Sequence, residues 1–159
     1  MEEVDFKKQK IAYFSMEIAL DSKIPTYSGG LGVLAGDYLR SACDLEVPVI
    51  GITLLYKKGY FHQAINNEGY QEEHDEIWDP FDYLEKLKNT VKIKLFNREV
   101  TVACWLYRLK GLHQTNPIIF LDTDLDENSP EDREITKKLY GTGQEYRILQ
   151  EAVLGMAGT

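Results

Sequence analysis

The sequence predicts an α/β fold, in which one parallel strand–helix–strand unit is followed by antiparallel hairpins. Near the N-terminus an apolar run, a glycine-rich turn, an amphipathic run and a second apolar run follow one another, which is the order of a βαβ unit. Farther along, alternating apolar and polar residues flank turn-forming residues, which is typical of hairpins. The 159 residues are enough to bury one hydrophobic core.

The βαβ unit is predicted from three consecutive segments. Residues 10–16 and 47–56 are rich in strand-forming apolar side chains and predict two buried parallel strands, joined in a right-handed unit. Between them a helix begins at Leu31, and on its solvent side Arg40 and Asp44 are spaced to pair across one turn. We expect the opposite side to face the core through its apolar residues at helical spacing. That set is Leu31, Leu34, Ala35, Tyr38, Ala42 and Leu45.

The remainder of the chain predicts five more strands and two helices. In chain order the predicted strands are 60–64, 70–74, 91–96, 99–109 and 116–121, of which the first four form two hairpins. Ser129 and Pro130, followed by two acids, are typical of a helix start, and we expect that helix to continue to about Tyr140. A last helix begins near Gln144 and is still apolar at the final residues, so we expect a fragment of a longer protein.

Composition and charge exclude several classes of protein. The net charge of −8 provides no general electrostatic footprint for nucleic acid. No apolar run approaches the roughly 20 residues of a membrane helix, and the N-terminus lacks the apolar segment of a secretion signal. Cys43 and Cys104 lie far apart and favour free thiols in a reducing compartment. The sequence therefore predicts a cytoplasmic protein without nucleic-acid or membrane partners and without a metal site.

The glycine-rich turn is the most informative functional signal. Gly29, Gly30, Leu31 and Gly32 stand between an apolar run and the helix, so their backbone amides open that helix. Amides at a helix N-terminus are suited to binding an anion such as phosphate. The alternative for the same glycines is a tight turn that requires positive φ.

Other charged residues have ordinary explanations. We expect Lys57, Lys58 and Arg40 to be solvated charges rather than phosphate ligands. We expect the acidic run 72–76 to form a solvated face rather than a metal site. Adjacent residues of a strand point in opposite directions, so few of them can bind one metal ion. For Glu17 a surface or helix-capping role is the alternative to a functional one.

Five ordered motifs span residues 10–158. The first two are Tyr13-Phe14-Ser15-Met16-Glu17 and Ser28-Gly29-Gly30-Leu31-Gly32, and the others lie at 54–63, 121–133 and 147–151. Together they resemble the N-terminal lobe of the α-glucan (glycogen, starch or maltodextrin) phosphorylases. An ordered set of five motifs is far more specific than a glycine-rich loop alone.

The resemblance implies an enzyme of two Rossmann-like lobes, the GT-B architecture, which cleaves α-1,4-glucan ends with inorganic phosphate to give glucose 1-phosphate. It implies pyridoxal phosphate as cofactor, bound covalently to a lysine of the C-terminal lobe. Carried over to this chain, it implies that Gly29, Gly30 and Leu31, with Gly32 beside them, approach the substrate phosphate. It also implies that Glu17 lines the catalytic cleft as a catalytic residue.

Two departures indicate the short bacterial or archaeal form of that family. Only residues 18–28 separate the first two motifs, where animal members carry a long insertion, and Ala19 stands where those members place a tyrosine against the cofactor. We therefore expect no regulation by AMP or phosphorylation. Residues 1–159 would be a partial N-terminal lobe without a cofactor-binding residue, and inactive without the C-terminal lobe.

Two other functions fit parts of the pattern. Nucleotide-sugar glycogen or starch synthases also contain a Gly-Gly-Leu loop, but Lys-Thr precedes it there and Tyr27-Ser28 precedes it here. A stand-alone βαβ module that binds an anion or a sugar without catalysis is the third hypothesis. An apolar side left exposed by missing structure would favour a homo-oligomer.

Overall fold

A computed structural model of the chain describes residues 10–141 and 143–159. The strands are Ile11–Phe14 (β1), Val49–Leu54 (β2), His62–Ile65 (β3), Gln71–His74 (β4), Glu85–Leu95 (β5), Arg98–Lys110 (β6) and Thr115–Asp122 (β7). The helices are Gly30–Asp44 (α1), Pro130–Arg133 (α2) and Gln144–Ala157 (α3), with a single 3-10 turn at Pro80–Asp82. No helix within the described residues is long and apolar enough to cross a membrane.

Five strands form one mixed sheet in the order β1-β2-β7-β6-β5. β1, β2 and β7 are parallel to one another, whereas β6 and β5 continue the sheet as an antiparallel hairpin. β3 and β4 pair separately as an antiparallel two-stranded sheet. The predicted α/β class, with a parallel strand–helix–strand unit and an inserted hairpin, is confirmed.

The sheet separates two hydrophobic cores, because neighbouring residues of a strand point to opposite faces. On one face α1 packs against the parallel strands through Leu39, which meets Val49 and Ile118. On the other face α3 packs through Val153 in the cluster that contains Ile52. Both faces of the parallel strands are thus covered, and their carboxyl edge is left to the connecting segments.

The buried side of α1 differs from the prediction. Leu31, Leu34, Tyr38 and Leu45 are exposed, and only Ala35 and Ala42 of the predicted set are buried. The observed buried side is Gly32, Ala35, Gly36, Leu39, Ala42 and Cys43. Small residues occupy the buried side because the connection 18–28 lies close to the helix there. A Cβ at Gly36 would lie 2.1 Å from the carbonyl oxygen of Ala19. Ranking positions by hydrophobicity could not reveal this close approach.

The predicted pair between Arg40 and Asp44 is also wrong. The Arg40 guanidinium donates to the carbonyl oxygens of Ala19 and Leu20, at 2.9 and 2.6 Å. It therefore fastens the connection 18–28 onto α1. Asp44 instead accepts a hydrogen bond from a backbone amide of the β6–β7 connection.

The helix predicted to continue to about Tyr140 ends at Arg133. Its start is as predicted, since the Ser129 hydroxyl accepts a hydrogen bond from the amide of Asp132. Beyond Arg133 the chain continues in turns, and side chains of α3 satisfy its carbonyl groups. Buried Gln150 donates to the carbonyls of Ile135 and Lys138, both at 2.8 Å. The segment therefore does not need a helix to satisfy its backbone.

Candidate active site

Three charged side chains lie near the carboxyl ends of the parallel strands. Glu17 follows β1, Lys57 follows β2 and Asp122 ends β7. In open α/β sheets, ligands bind outside this edge. The glycine-rich turn lies beside it, because the connection 18–28 returns from β1 to the start of α1.

Glu17 lies beneath the glycine-rich turn and is 2% exposed. Its Oε2 accepts hydrogen bonds from the amides of Ser28, at 2.7 Å, and Gly29, at 3.3 Å. Its Oε1 accepts a hydrogen bond of 2.6 Å from the hydroxyl of Tyr140. The carboxylate thus holds the turn in place, which is more than the surface or capping role considered from the sequence. Its expected part in catalysis stays a prediction.

The backbone amides that follow Gly29 in the sequence belong to the first turn of α1. Gly29 is the N-cap residue in an extended conformation (φ −163°), and no side chain caps the helix. The first N–H groups of a helix have no partners within it, and here they are those of Gly30, Leu31 and Gly32. They carry the positive end of the helix dipole. The geometry therefore suits an anion above the turn.

The turn glycines are not explained by positive φ, since none of Gly29, Gly30 and Gly32 adopts it. Gly32 is required for packing, because a Cβ there would lie 2.5 Å from the Cβ of Tyr27 and 2.9 Å from Oε2 of Glu17. Gly29 and Gly30 have no neighbour within 4 Å of a Cβ. Within the protein these two glycines have room for a side chain, so their role concerns what approaches from outside.

An open depression adjoins the turn. It has a volume of about 280 Å³ and is lined by Tyr27, Ser28, Tyr60 and Phe61 among others. A neighbouring cavity of about 520 Å³ shares Tyr60 and Phe61 and extends to Tyr140. Both contacts of Glu17, with the turn and with Tyr140, therefore border space that a ligand can enter.

The cations near this edge are bound to carboxylates. The Lys57 ammonium lies 3.0 Å from Asp124 and 3.4 Å from Asp122, and the Lys58 ammonium lies 2.8 Å from Asp75. These lysines are therefore ion-paired, where the sequence led us to expect solvated charges. Positive potential at the turn comes from backbone amides instead.

Sequence reasoning missed Tyr140, which stands 123 residues from its partner Glu17. Burial and the hydrogen bond to Glu17 raise the pKa of Tyr140 to about 12, so its hydroxyl remains a donor at neutral pH. The guanidinium of Arg147 lies 5.6 Å from the centre of its ring.

The acidic run 72–76 lies largely at the surface. Residues 71–74 are all exposed on β4. In the described ranges 10–141 and 143–159, no group of three or more His, Cys, Asp or Glu side chains is arranged to hold a metal ion.

Comparisons with known proteins identify similar sequences. A family model described as carbohydrate phosphorylase matches residues 2–105. The chain is 39% identical over 156 residues to a glycogen phosphorylase of Mycobacterium tuberculosis, covering 93% of the chain and 18% of that protein. It is 38% identical over 154 residues to a maltodextrin phosphorylase of Thermococcus litoralis, covering 95% and 18%. A glycogen phosphorylase of Aquifex aeolicus is 34% identical over 156 residues, covering 95% and 22%. The chain thus spans about a fifth of the length of these relatives.

Proposed function

The chain belongs to the carbohydrate phosphorylase family, and on that premise we propose that it is part of an α-glucan phosphorylase. The reaction is phosphorolysis: inorganic phosphate cleaves the terminal α-1,4 bond of a glucan and yields glucose 1-phosphate. The names of the relatives, glycogen and maltodextrin phosphorylase, support this substrate class. The same names favour it over a nucleotide-sugar synthase or a non-catalytic binding module.

Residues 1–159 contribute part of the N-terminal, Rossmann-like lobe of a two-lobed GT-B enzyme in this proposal. Pyridoxal phosphate, whose phosphate group acts beside the substrate phosphate in this family, is held by a lysine outside the chain. The chain alone is expected to retain no pyridoxal absorbance after cofactor addition and dialysis.

One observation carries the assignment of the site. The buried carboxylate of Glu17 binds the amides of Ser28 and Gly29 and thereby presents the uncapped first turn of α1. We assign the contact with substrate phosphate to Gly29, Gly30, Leu31 and Gly32, and a place in the catalytic cleft to Glu17. Amides fixed before the reaction stabilise a phosphoryl group without reorganising.

Gly30→Val tests this assignment in the polypeptide encoded by the complete reading frame that contains these residues. The new side chain meets nothing within the protein but holds a ligand away from the backbone, so we expect release of glucose 1-phosphate from maltodextrin to fall at least about tenfold. Gly155→Val is the matched control, because Gly155 also has no neighbour within 4 Å and lies on α3. Equal rates for the two variants would contradict the assignment.

A further inference from the structure

We infer that Tyr140 is a positioning residue, which acts through Glu17 to fix the backbone amides of the glycine-rich turn. The contacts stand by themselves, while the reaction that they serve rests on the proposed function. Tyr140 lies in the segment between α2 and α3, far along the chain from the motifs that define the turn.

The first step is the geometry of the carboxylate. Rotation about the last bond of a glutamate side chain is broad, so one contact leaves the group free to turn. Here Tyr140 holds Oε1 at 2.6 Å, and this places Oε2 opposite the amides of Ser28 and Gly29. The two ends of the carboxylate therefore couple the tyrosine hydroxyl to the turn.

The second step is that Tyr140 itself is rigidly held. Its φ of 52° lies in the left-handed region, which is uncommon for a bulky side chain and persists only where the surroundings enforce it. The preceding residue, Leu139, is 2% exposed, and its amide donates to the carbonyl of Gly59 at 2.9 Å. Gln150 holds the carbonyl of Lys138 at 2.8 Å. A donor fixed in this way transmits its position to Glu17.

The third step is the charge of the donor. A tyrosine hydroxyl satisfies Oε1 as a neutral donor, so it places no cation beside the amides of the turn. Hydrogen bonds to a carboxylate are about twice as strong as neutral ones. Without the hydroxyl, Oε1 loses its partner and the acceptor under Ser28 is held only by the amides that it serves. The phosphate-facing amides then lose part of their preorganisation.

Tyr140→Phe removes the hydroxyl, and Tyr107→Phe is the control. Tyr107 lies on β6 and packs against the hydrophobic cluster on the α1 face of the sheet, whereas Tyr140 packs on the opposite face. The first readout is the amide proton resonances of Ser28 and Gly29 in the 159-residue chain. We expect both to move upfield by several tenths of a ppm in Tyr140→Phe and to stay in place in Tyr107→Phe. No movement, or equal movement in both variants, would overturn the inference.

If Tyr140→Phe does not fold, 3-fluorotyrosine at position 140 replaces it, because this residue keeps its hydroxyl. A more acidic phenol donates more strongly to Oε1 and holds the carboxylate more firmly in the same orientation. The Ser28 and Gly29 amide protons should then move downfield, opposite to the change expected in Tyr140→Phe. Unchanged resonances would again overturn the inference.

The second readout is phosphorolysis by the polypeptide of the complete reading frame. We expect Tyr140→Phe to raise KM for inorganic phosphate about tenfold with a smaller change in kcat, and Tyr107→Phe to leave both near the wild-type values. Equal kinetics in the two variants would remove the functional part of the inference. A wild-type enzyme without phosphorolysis would refute the proposed function, and the amide resonances would still decide whether Tyr140 positions the turn.

Discussion

Two buried carboxylates lie at the carboxyl edge of the sheet, and they differ in whether a cation is among their partners. Glu17, after β1, is bound by two backbone amides and a tyrosine hydroxyl, all of them neutral donors. Asp122, at the end of β7, accepts hydrogen bonds from the amide of Asp124 (2.9 Å) and the indole of Trp105 (3.2 Å), and also lies 3.4 Å from the ammonium of Lys57. Their exposed fractions are 2% and 1%, so burial does not distinguish them.

The two carboxylates differ in what they stabilise: Glu17 organises the candidate site, and Asp122 supports the framework of the sheet. The amides bound by Glu17 belong to the glycine-rich turn, so this carboxylate orders the segment that faces the open depression. The contact of Asp122 with Lys57 instead links the segment after β2 to the end of β7.

The largest effect on stability is expected from Glu17→Ala. This change leaves two amides and the hydroxyl of Tyr140 without an acceptor, and we expect a loss of about 2–4 kcal/mol in the free energy of unfolding. Glu17→Gln should lose about half as much, because its amide oxygen can still accept from the turn while its nitrogen faces Tyr140. Chemical denaturation measures the free energy of unfolding of both variants. Equal losses would contradict the role assigned to the hydrogen bonds of Glu17.

Lys57→Met should have an intermediate effect. It leaves Asp122 buried without its cation, although Trp105 and other donors remain, so we expect a loss of about 1–3 kcal/mol. Adding Asp122→Asn should recover part of that loss, because the uncompensated charge is then removed. A double variant less stable than Lys57→Met alone would show that the pair is not an electrostatic unit.

The smallest effect concerns the acid dependence of Asp124, which shares Lys57 with Asp122. Burial opposes ionisation, but hydrogen bonds from Lys57 and Arg133 outweigh it and lower the pKa of Asp124 below its ordinary 3.8. The folded state therefore binds protons less readily than the unfolded state at this group. The contribution of Asp124 to the free energy of unfolding is therefore present above about pH 4 and is lost as the pH falls through the lowered pKa.

Asp124→Asn should accordingly be less stable than the wild type at neutral pH by about 1 kcal/mol or less. The difference should shrink as unfolding is measured at successively lower pH below 4. A difference that stays constant over that range would exclude the ion pairs as its cause.

The sequence predicted most elements because their signals are local. Alternation identified the hairpin of β5 and β6, and Ser129 with Pro130 identified the start of α2. The buried side of α1 and the length of α2 were predicted wrongly, since close approach at Gly36 and the hydrogen bonds of Gln150 depend on distant segments. The glycine-rich turn was predicted as an anion site from its place before the helix, whereas Glu17 entered through family resemblance. Tyr140 could not be predicted, because nothing near it in the sequence identifies its acceptor.

Within the described residues, β1 has a neighbouring strand on one side only, and it is four residues long. Alternate amides of β1 donate to β2, so those of Ala12 and Phe14 point away from it. Such amide protons exchange readily with solvent, and Glu17 is attached to this least protected strand of the parallel set. Opening of β1 would therefore displace the carboxylate that holds the turn. If an anion orders the turn, hydrogen exchange along β1 should slow when that anion binds.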